Sequence, residues 1–444
     1  MSNFTNKLYP ILLLALILSS CSLQNKNNKN SYLLTDTLTT KSAREQFKSN
    51  LYENTIQKNL AEALNDSTEK YWNEAFNAME LVDDSNPAYI SKIRYALNNF
   101  NQRSSGFQRS MLEAIYVLYP QEYLKEVLKI VHQTTNPKIF AIGINYLLNI
   151  NAKDSEYYQA LMENKFPDYN ENPILFSLNN NLKKPISELV DEKPPLVDLL
   201  SADYGKGNTV IFSLQRVDRN FTGIVLVRKP DGKFVRNNDG TIFNVPQLAR
   251  ARTNLPYYIT NGNTPQGIFS IQGVDVSQDE SIGRTTNIQL IMPFETTKNL
   301  FIHSNNSADT SWNLQSYRKL LPPSWQNYFP VYGTFYAGKA GRTEIIAHGT
   351  TIDPSFFNGK SFYPISPTLG CLCTKEIWSE DNGNRLLSDQ QALVDAFNST
   401  GSLKGYLVVI DLDNKKMPVT INEVVMQILK AEKRNGNNLA SNKI

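Results

Sequence analysis

The sequence predicts an α+β chain of two domains, with an all-α helical array followed by a mainly β domain. Three observations support this prediction. Between residues 40 and 185, apolar residues recur at three-and-four spacing in runs of about a dozen residues, which is typical of amphipathic helices. From residue 208 onward the apolar runs are shorter and alternate with polar residues, as strands do. A proline-containing segment, residues 186–207, separates the two patterns and is predicted to be a linker.

The chain begins with a predicted targeting segment, residues 1–20. A polar start containing Lys7 leads into the apolar run Ile11–Leu18, which is too short for a spanning helix of about 20 apolar residues. Two serines and Cys21 follow this run. A small-residue cleavage site ending in cysteine resembles the bacterial lipoprotein signal, which implies that Cys21 is lipidated. Residues 21–39 are rich in Asn and Lys and are predicted to form a flexible lipidated tether.

These features predict an exported lipoprotein, anchored in a membrane and facing the periplasm or cell envelope. The acyl chains on Cys21, rather than protein charge, would provide the membrane affinity. The other two cysteines would then lie in an oxidising compartment. A net charge of +3, from 45 basic and 42 acidic residues, gives no support for a nucleic-acid partner.

The helical region, residues 40–185, consists of short helical runs joined by short, turn-rich connections. This pattern favours an antiparallel array, which would either present a concave surface to an envelope protein partner or serve as a compact spacer. The clearest predicted helices are residues 56–64, 71–81, 110–118, 123–132 and 139–148.

The C-terminal region is predicted to be mainly β between residues 208 and 422, with a C-terminal tail at 423–444. One helix is expected at residues 387–397, where Ser388 can cap its first turn. Pro230-Asp231-Gly232 predicts a hairpin turn within one strand pair. The predicted strands are residues 208–216, 223–236, 267–276, 288–294, 299–304, 343–349 and 405–413.

The β region contains one histidine and cysteine pair suited to nucleophilic chemistry. His348 directly follows an apolar strand, and Cys371 follows Gly370, which allows a tight loop. A nucleophilic thiol needs a base beside it and backbone N–H donors around the oxyanion. Two alternatives compete: a metal site that adds Cys373 and His303 to this pair, and a strained Cys371–Cys373 disulfide. The residues alone leave these readings open.

Three segments in this region resemble a known family. Residues 264–271, TPQGIFSI, are similar to a T-P-x-G-x-F-x-I motif, and residues 348–350 to an H-G-T motif. Residues 368–372, TLGCL, are similar to S-H-G-C-I. Their order matches the L,D-transpeptidase catalytic domain family (YkuD-like), bacterial envelope enzymes that act on peptidoglycan stem peptides. The resemblance spans residues 208–422 and does not reach the helical region.

The resemblance implies an L,D-transpeptidase that acts on tetrapeptide stems through a thioacyl-enzyme, without a metal or organic cofactor. Cys371 would be the nucleophile and His348 its base. The same acyl-enzyme would serve an L,D-carboxypeptidase, and an inactive peptidoglycan-binding or scaffold lipoprotein is a further alternative. The expected catalytic residues also include Gly349 and Thr350, which would position the His348 ring. Gly370 and Leu372 would frame the oxyanion beside Cys371.

The sequence also departs from the family pattern. Leu369 stands where the family has a second histidine, and Cys373 stands where it has an arginine or asparagine. The loop between the H-G-T and G-C segments is longer than usual and carries several aromatic residues, which would form a substrate lid or wall. The residues predicted to bind substrate are Thr368, Tyr363, Phe357 and His303.

Overall fold

The apolar spacing of the first half produces helices in the computed structural model, which describes residues 34–304 and 310–441. The predicted helical runs are confirmed, the first as a π-helical stretch, Leu51–Gln57, that continues into α2. The helices are α1 (Lys41–Asn50), α2 (Lys58–Ala61), α3 (Glu69–Val82), α4 (Ile90–Asn98), α5 (Ser105–Leu118), α6 (Leu124–Gln133), α7 (Pro137–Ile150), α8 (Ser155–Lys165), α9 (Pro173–Lys183), α10 (Ile186–Leu189) and α11 (Leu196–Leu200).

Helices α7 and α9 both begin at an Asn-Pro pair. The Asn136 side chain accepts hydrogen bonds from the first turn of α7, and Asn172 does the same for α9. Proline at the first helical position costs nothing there, because that N–H would have no helical acceptor. Helix α7 packs against α5, α6 and α9 and therefore lies at the centre of the helical region.

The second half forms a closed eight-stranded barrel, with strand order β1-β10-β4-β5-β6-β7-β3-β2. Strands β1 and β10, and β6 and β7, pair in parallel, and the other neighbours are antiparallel. A separate hairpin joins β8 to β9. The strands are β1 (Thr209–Arg216), β2 (Gly223–Arg228), β3 (Val245–Leu248), β4 (Gly267–Asp275), β5 (Asn287–Ile291), β6 (Ala347–His348), β7 (Leu372–Thr374), β8 (Glu376–Trp378), β9 (Arg385–Ser388) and β10 (Gly405–Asp413).

Most predicted strands are confirmed, but the predicted strand at residues 299–304 is wrong. Thr297 caps a short helix there, because its side chain accepts the Leu300 N–H. The predicted strand at 343–349 is reduced to β6. Ser388 caps a helix as expected. The helices of this half are α12 (Lys298–Phe301), α13 (Leu314–Arg318), α14 (Gly333–Lys339), α15 (Asp389–Asn398) and α16 (Val425–Ser441).

The predicted linker and tail both contain packed helices. Helix α11, from the linker, packs against α16, which occupies most of the predicted tail. The guanidinium of Arg228 donates to four backbone carbonyls of residues 199–204 and fixes the linker to the barrel. The described residues from Leu34 onward pack as one compact unit, so the division into two domains stays a prediction.

The predicted signal peptide and Cys21 lie outside the described residues. The end of the predicted tether, from Leu34, is tied to the β8–β9 hairpin. The Arg385 N–H donates to Leu34 O, and the Asp36 N–H donates to Gly383 O, each at 2.8 Å. Within residues 34–304 and 310–441, no helix combines the length and the apolar character needed to cross a bilayer.

Candidate active site

The parallel pairing of β6 with β7 brings the predicted base and nucleophile to neighbouring strands. Ala347 pairs with Leu372, and His348 pairs with Cys373. Side chains alternate between the faces of a strand, so His348 shares a face with Cys373, its partner in register, and with Cys371, two residues earlier. The Cys371 sulfur lies 3.5 Å from the Ile346 N–H, which donates to it.

The loop before β7 holds Cys371 through side-chain to backbone hydrogen bonds. Thr368 Oγ1 donates to Cys371 O at 2.9 Å and accepts the Gly370 N–H at 3.0 Å. Gly370 has a φ of +119°, which favours glycine. A Cβ at Gly370 would lie 2.3 Å from Arg342 Nη2 and 2.7 Å from Gly262 O, so no larger residue fits.

Of the three segments that resemble the transpeptidase motifs, the TPQG segment contacts this loop, and the HGT segment contacts Glu376, which follows β7. Thr264, from the TPQG segment, donates its hydroxyl to Gly370 O at 2.8 Å. The Thr350 N–H, from the HGT segment, donates to Glu376 Oε2 at 3.0 Å. Gly349 lies against the same carboxylate, since a Cβ there would be 2.2 Å from the Glu376 carboxyl carbon. The structure therefore brings together Cys371 and the segments on which its prediction depends.

Two backbone groups predicted to hold the oxyanion are already occupied. The Leu372 N–H donates to Ile346 O at 3.0 Å, and the Gly370 N–H donates to Thr368 Oγ1. Their expected role as oxyanion donors is therefore not supported. Among the described hydrogen bonds, the Cys371 N–H has no acceptor, so this donor is available to a substrate oxyanion next to the sulfur.

Burial makes the resting thiol and imidazole electrically neutral. It raises the pKa of Cys371 to about 11, against the opposing effects of the Ile346 N–H and the Arg342 charge. Burial also lowers the pKa of His348 to about 4, although its hydrogen bond with Gly349 O opposes the shift. A neutral imidazole has a lone pair that can accept a proton, but a pKa of about 4 makes it a weak base towards a thiol whose pKa is about 11, so proton transfer is uphill in the resting site. No described hydrogen bond joins Cys371 Sγ to the His348 ring, so this pair is not an ion pair at rest.

Cys373 is in register with His348 on the same face of the sheet, but apolar side chains cover its thiol. It is 1% exposed and packs with four apolar residues, and burial raises the pKa of its thiol well above the usual range. Cys371 and Cys373 are both free thiols. The cluster consists of Leu248, Phe357, Phe362, Ile365 and Cys373. Phe357 is therefore an interior residue, and its burial gives no support to its predicted contact with substrate.

His303 lies away from the thiol loop. Its Nε2 is 3.0 Å from Gly405 O and 3.2 Å from Ser270 Oγ, and its ring packs on Tyr406. None of these contacts involves Cys371, Cys373 or His348, so they give no support to the metal site considered for these residues. No cluster of three or more potential ligands from His, Cys, Asp and Glu occurs in the described part of the chain.

The other predicted substrate-binding residues differ in exposure. Tyr363 is 49% exposed, so its side chain is open to solvent. Thr368 is buried, and its hydroxyl is used within the thiol loop. Of the four residues predicted to bind substrate, Tyr363 therefore has the most accessible side chain.

A groove of about 380 Å³ opens beside the HGT segment. Helix α1 and the residues before it form one wall, and loop residues around Thr351 form the other. The loop of residues 279–281 also lines the groove, and the Thr351 N–H donates to Ser281 O of that loop at 3.2 Å. The lining combines apolar, acidic and basic side chains: Leu38, Phe47 and Ile352, with Asp279, Glu280 and Asp353, and with Arg44.

Arg342 is a site residue that sequence reasoning missed. Its guanidinium is buried and donates to the backbone carbonyls of Tyr257, Gly262 and Asn263. Its Nη2 also lies against Gly370, as the space around that glycine shows. No sequence motif marks it, because its partners lie about 80 residues earlier in the chain.

The helical region supports the loop that holds Arg342. Lys138, on α7, donates to Thr260 Oγ1 at 2.8 Å. Asn261 donates to Glu113 Oε2, on α5, at 3.3 Å. Burial raises the pKa of Glu113 to about 7, with Arg109 opposing the shift. A carboxyl group that titrates near neutral pH thus contacts the loop behind the thiol.

We expect the Glu113→Gln variant to flatten the pH dependence of stability. The folded-state pKa of about 7 exceeds the ordinary value of 4.5, so the folded chain binds more protons between these values. The stability that this proton contributes is present below pH 4.5 and lost as the pH rises through 7, and part of the fall should remain in the variant because the buried Glu80 beside it also has a raised pKa. The free energy of unfolding, measured with urea, should fall less between pH 5 and pH 8 in the variant than in the wild type. Glu45→Gln, at an exposed position, is the control, and an unchanged fall in Glu113→Gln would contradict the assignment.

No family model, curated protein or solved structure matches this chain. The likeness to L,D-transpeptidases therefore depends on the three quoted segments, and function has to be argued from the contacts that they make. Those contacts place a half-buried thiol, a free N–H donor and a neutral imidazole on adjoining backbone segments. This set of groups can perform acyl transfer through a thioester.

Proposed function

We propose that the protein is a cysteine-dependent acyltransferase of the L,D-transpeptidase type, acting on peptidoglycan stem peptides. The observation that supports the proposal best is the parallel pairing of β6 with β7, because β6 carries His348 and β7 begins directly after Cys371, although the residue in register with His348 is Cys373. The docking of Thr264 on Gly370 adds support, because it joins two of the resembling segments.

In the proposed reaction the Cys371 sulfur attacks the carbonyl carbon of the diaminopimelate residue in a tetrapeptide stem. His348 takes the thiol proton, the resulting Cys371 thiolate forms the C–S bond, and the Cys371 N–H stabilises the oxyanion. Collapse breaks the C–N bond, and the departing D-alanine nitrogen receives the proton from His348. An acceptor amine then attacks the thioester and gives up a proton through His348 to the sulfur, which leaves as the thiol.

The groove beside Thr351 supports an amine acceptor over water. Its apolar residues can cover the hydrocarbon part of an extended peptide. Its three carboxylates, on Asp279, Glu280 and Asp353, outnumber the one cation of the lining, Arg44, so the groove favours a cationic ammonium group. We therefore place transpeptidation ahead of hydrolysis by the same acyl-enzyme.

The proposal includes export and a lipid anchor on Cys21, which is supported by the residues of the first 21 positions. It also gives the helical region a role within the enzyme, since α5 and α7 contact the loop behind the thiol. An envelope protein partner for the helical region stays a prediction.

The test is mass spectrometry of the products formed from purified tetrapeptide stems carrying an acceptor amine. We expect cross-linked dimers together with released D-alanine. Tripeptides and D-alanine without dimers would instead identify an L,D-carboxypeptidase. Unchanged stems, with no adduct on the protein after incubation with a carbapenem, would overturn the enzymatic proposal in favour of a binding or scaffold protein.

A further inference from the structure

Arg342 is a buried cation without a carboxylate partner. Its side chain is 5% exposed, and all three of its described hydrogen-bond acceptors are backbone carbonyls. Among the described residues, no ion pair joins it to Asp or Glu, although the charge of Glu295 acts on it through space. Backbone carbonyls satisfy the N–H groups but leave the net positive charge uncompensated.

The Cys371 thiol can acquire a compensating charge, and that charge would act on Arg342. Arg342 Nη2 occupies the space where Gly370 would carry a Cβ, immediately before the cysteine. The same guanidinium holds Gly262 O, which lines the other side of Gly370. The cation is therefore fixed against the backbone that carries the sulfur.

We propose that Arg342 is a positioning residue that stabilises the Cys371 thiolate and keeps the thiol loop closed against residues 262–263. The inference deepens the proposed function, on which it rests for the role of the thiolate as the attacking species. The guanidinium does not touch substrate, because Gly370 and the carbonyls around it enclose it. Its contribution reaches the reaction through the sulfur alone.

Other charged and titratable groups lie near the Cys371 sulfur, and their charges decide whether each substitution raises or lowers the thiolate fraction. Glu344 and Asp279 are acidic and oppose formation of the thiolate, whereas Arg342 favours it. Cys373 and His348 lie on the neighbouring positions and are neutral at rest. Glu344 is exposed, so its charge can be removed without disturbing the interior.

The position of Arg342 depends on the helical region. Its acceptors Gly262 and Asn263 follow directly after Thr260 and Asn261, which contact α7 and α5. The loop 260–263 therefore links the helical region to the thiol, with Arg342 as the last side chain of that path.

The test is the rate at which iodoacetamide alkylates Cys371 in the full chain between pH 7 and pH 10. Alkylation requires the thiolate, so the rate at a given pH reports the thiolate fraction. Fragment masses of the modified peptide separate Cys371 from Cys373. We expect Arg342→Gln, which keeps hydrogen-bond donors but removes the charge, to react about tenfold more slowly at pH 8, one pKa unit. Arg342→Lys should recover part of the rate, and Glu344→Gln should react about threefold faster than the wild type.

Arg228→Met is the matched control, because Arg228 is also a buried guanidinium held by backbone carbonyls but contacts residues 199–204. If the effect of Arg342→Gln were only structural, Arg228→Met would change the alkylation rate of Cys371 to a similar extent. Equal alkylation profiles for Arg342→Gln and wild type would overturn the proposal. If Arg342→Gln does not fold, Glu295→Gln is measured in its place. We expect this variant to be alkylated faster than wild type, because the charge of Arg342 is then less compensated. An unchanged rate in Glu295→Gln would contradict the proposal. Alkylation needs no stem peptide, so this result is independent of whether the proposed turnover is found.

Discussion

A Cys371→Ala variant is expected to lose turnover of tetrapeptide stems by at least about a thousandfold and to form no covalent adduct with a carbapenem. The reason is that Cys371 carries the half-buried thiol of the site, whereas the Cys373 thiol is buried in an apolar cluster. Removing one sulfur atom at a partly exposed position should leave the fold intact. Product analysis and intact-protein mass provide the two measurements.

Cys373→Ala is the matched control for this prediction. It removes the same atom from a residue that is 1% exposed and packs beside Phe357 and Phe362. We expect activity within about threefold of wild type and a loss of about 1 kcal/mol in the free energy of unfolding, from the small cavity. Equal loss of activity in both variants would instead indicate that the two thiols act as a pair.

A His348→Gln variant is expected to lose about 10²- to 10⁴-fold in acylation rate, the usual contribution of a general base. The pKa of His348 lies at about 4, so the wild-type imidazole is neutral at physiological pH and can accept the thiol proton. Below that pKa the ring is protonated and the wild-type rate should fall. In the variant that acidic limb should disappear, and the rate should rise about tenfold per pH unit with the thiolate fraction.

The measurement is kcat/KM for the stem peptide from pH 3.5 to pH 10 in both proteins. His132→Gln, which alters an exposed histidine that contacts Tyr157 in the helical region, is the control. Identical pH profiles for His348→Gln and wild type would remove His348 from the mechanism and leave the thiol without an assigned base.

Periodicity was sufficient to predict the elements whose burial is regular. Residues 139–148 are apolar nearly all round and form the central helix α7, where most side chains are buried. Residues 405–413 form β10, the partner of both β1 and β4. In such elements local pattern and tertiary packing agree, so the sequence alone is informative.

The prediction at residues 299–304 failed because a short apolar run fits either a helix or a strand. The decisive contacts are the hydroxyl cap from Thr297 and the packing of Phe301 on Trp312. His303, with a φ of 55°, then turns the chain away from extended geometry. The cap was visible in the sequence, but the aromatic contact was not.

The candidate site divides in the same way. Cys371 and His348 were predicted from short motifs, because each motif needs a particular local backbone. Arg342 and Glu113 were not predicted, because their importance arises from loop 260–263, which only the tertiary fold brings to them. A buried charge leaves no periodic signal, and neighbouring residues in the sequence do not reveal its acceptors.

The contact between Gly349 and Glu376 restricts the order in which this region can change during evolution. A side chain at position 349 would collide with the Glu376 carboxyl group, which holds the Thr350 N–H and the Ser388 hydroxyl. Position 349 can therefore accept a larger residue only after position 376 has shortened, and that first step leaves Thr350 without its acceptor. The two positions form an epistatic pair, so the glycine of the HGT segment is preserved by a glutamate on the neighbouring hairpin as well as by any catalytic demand.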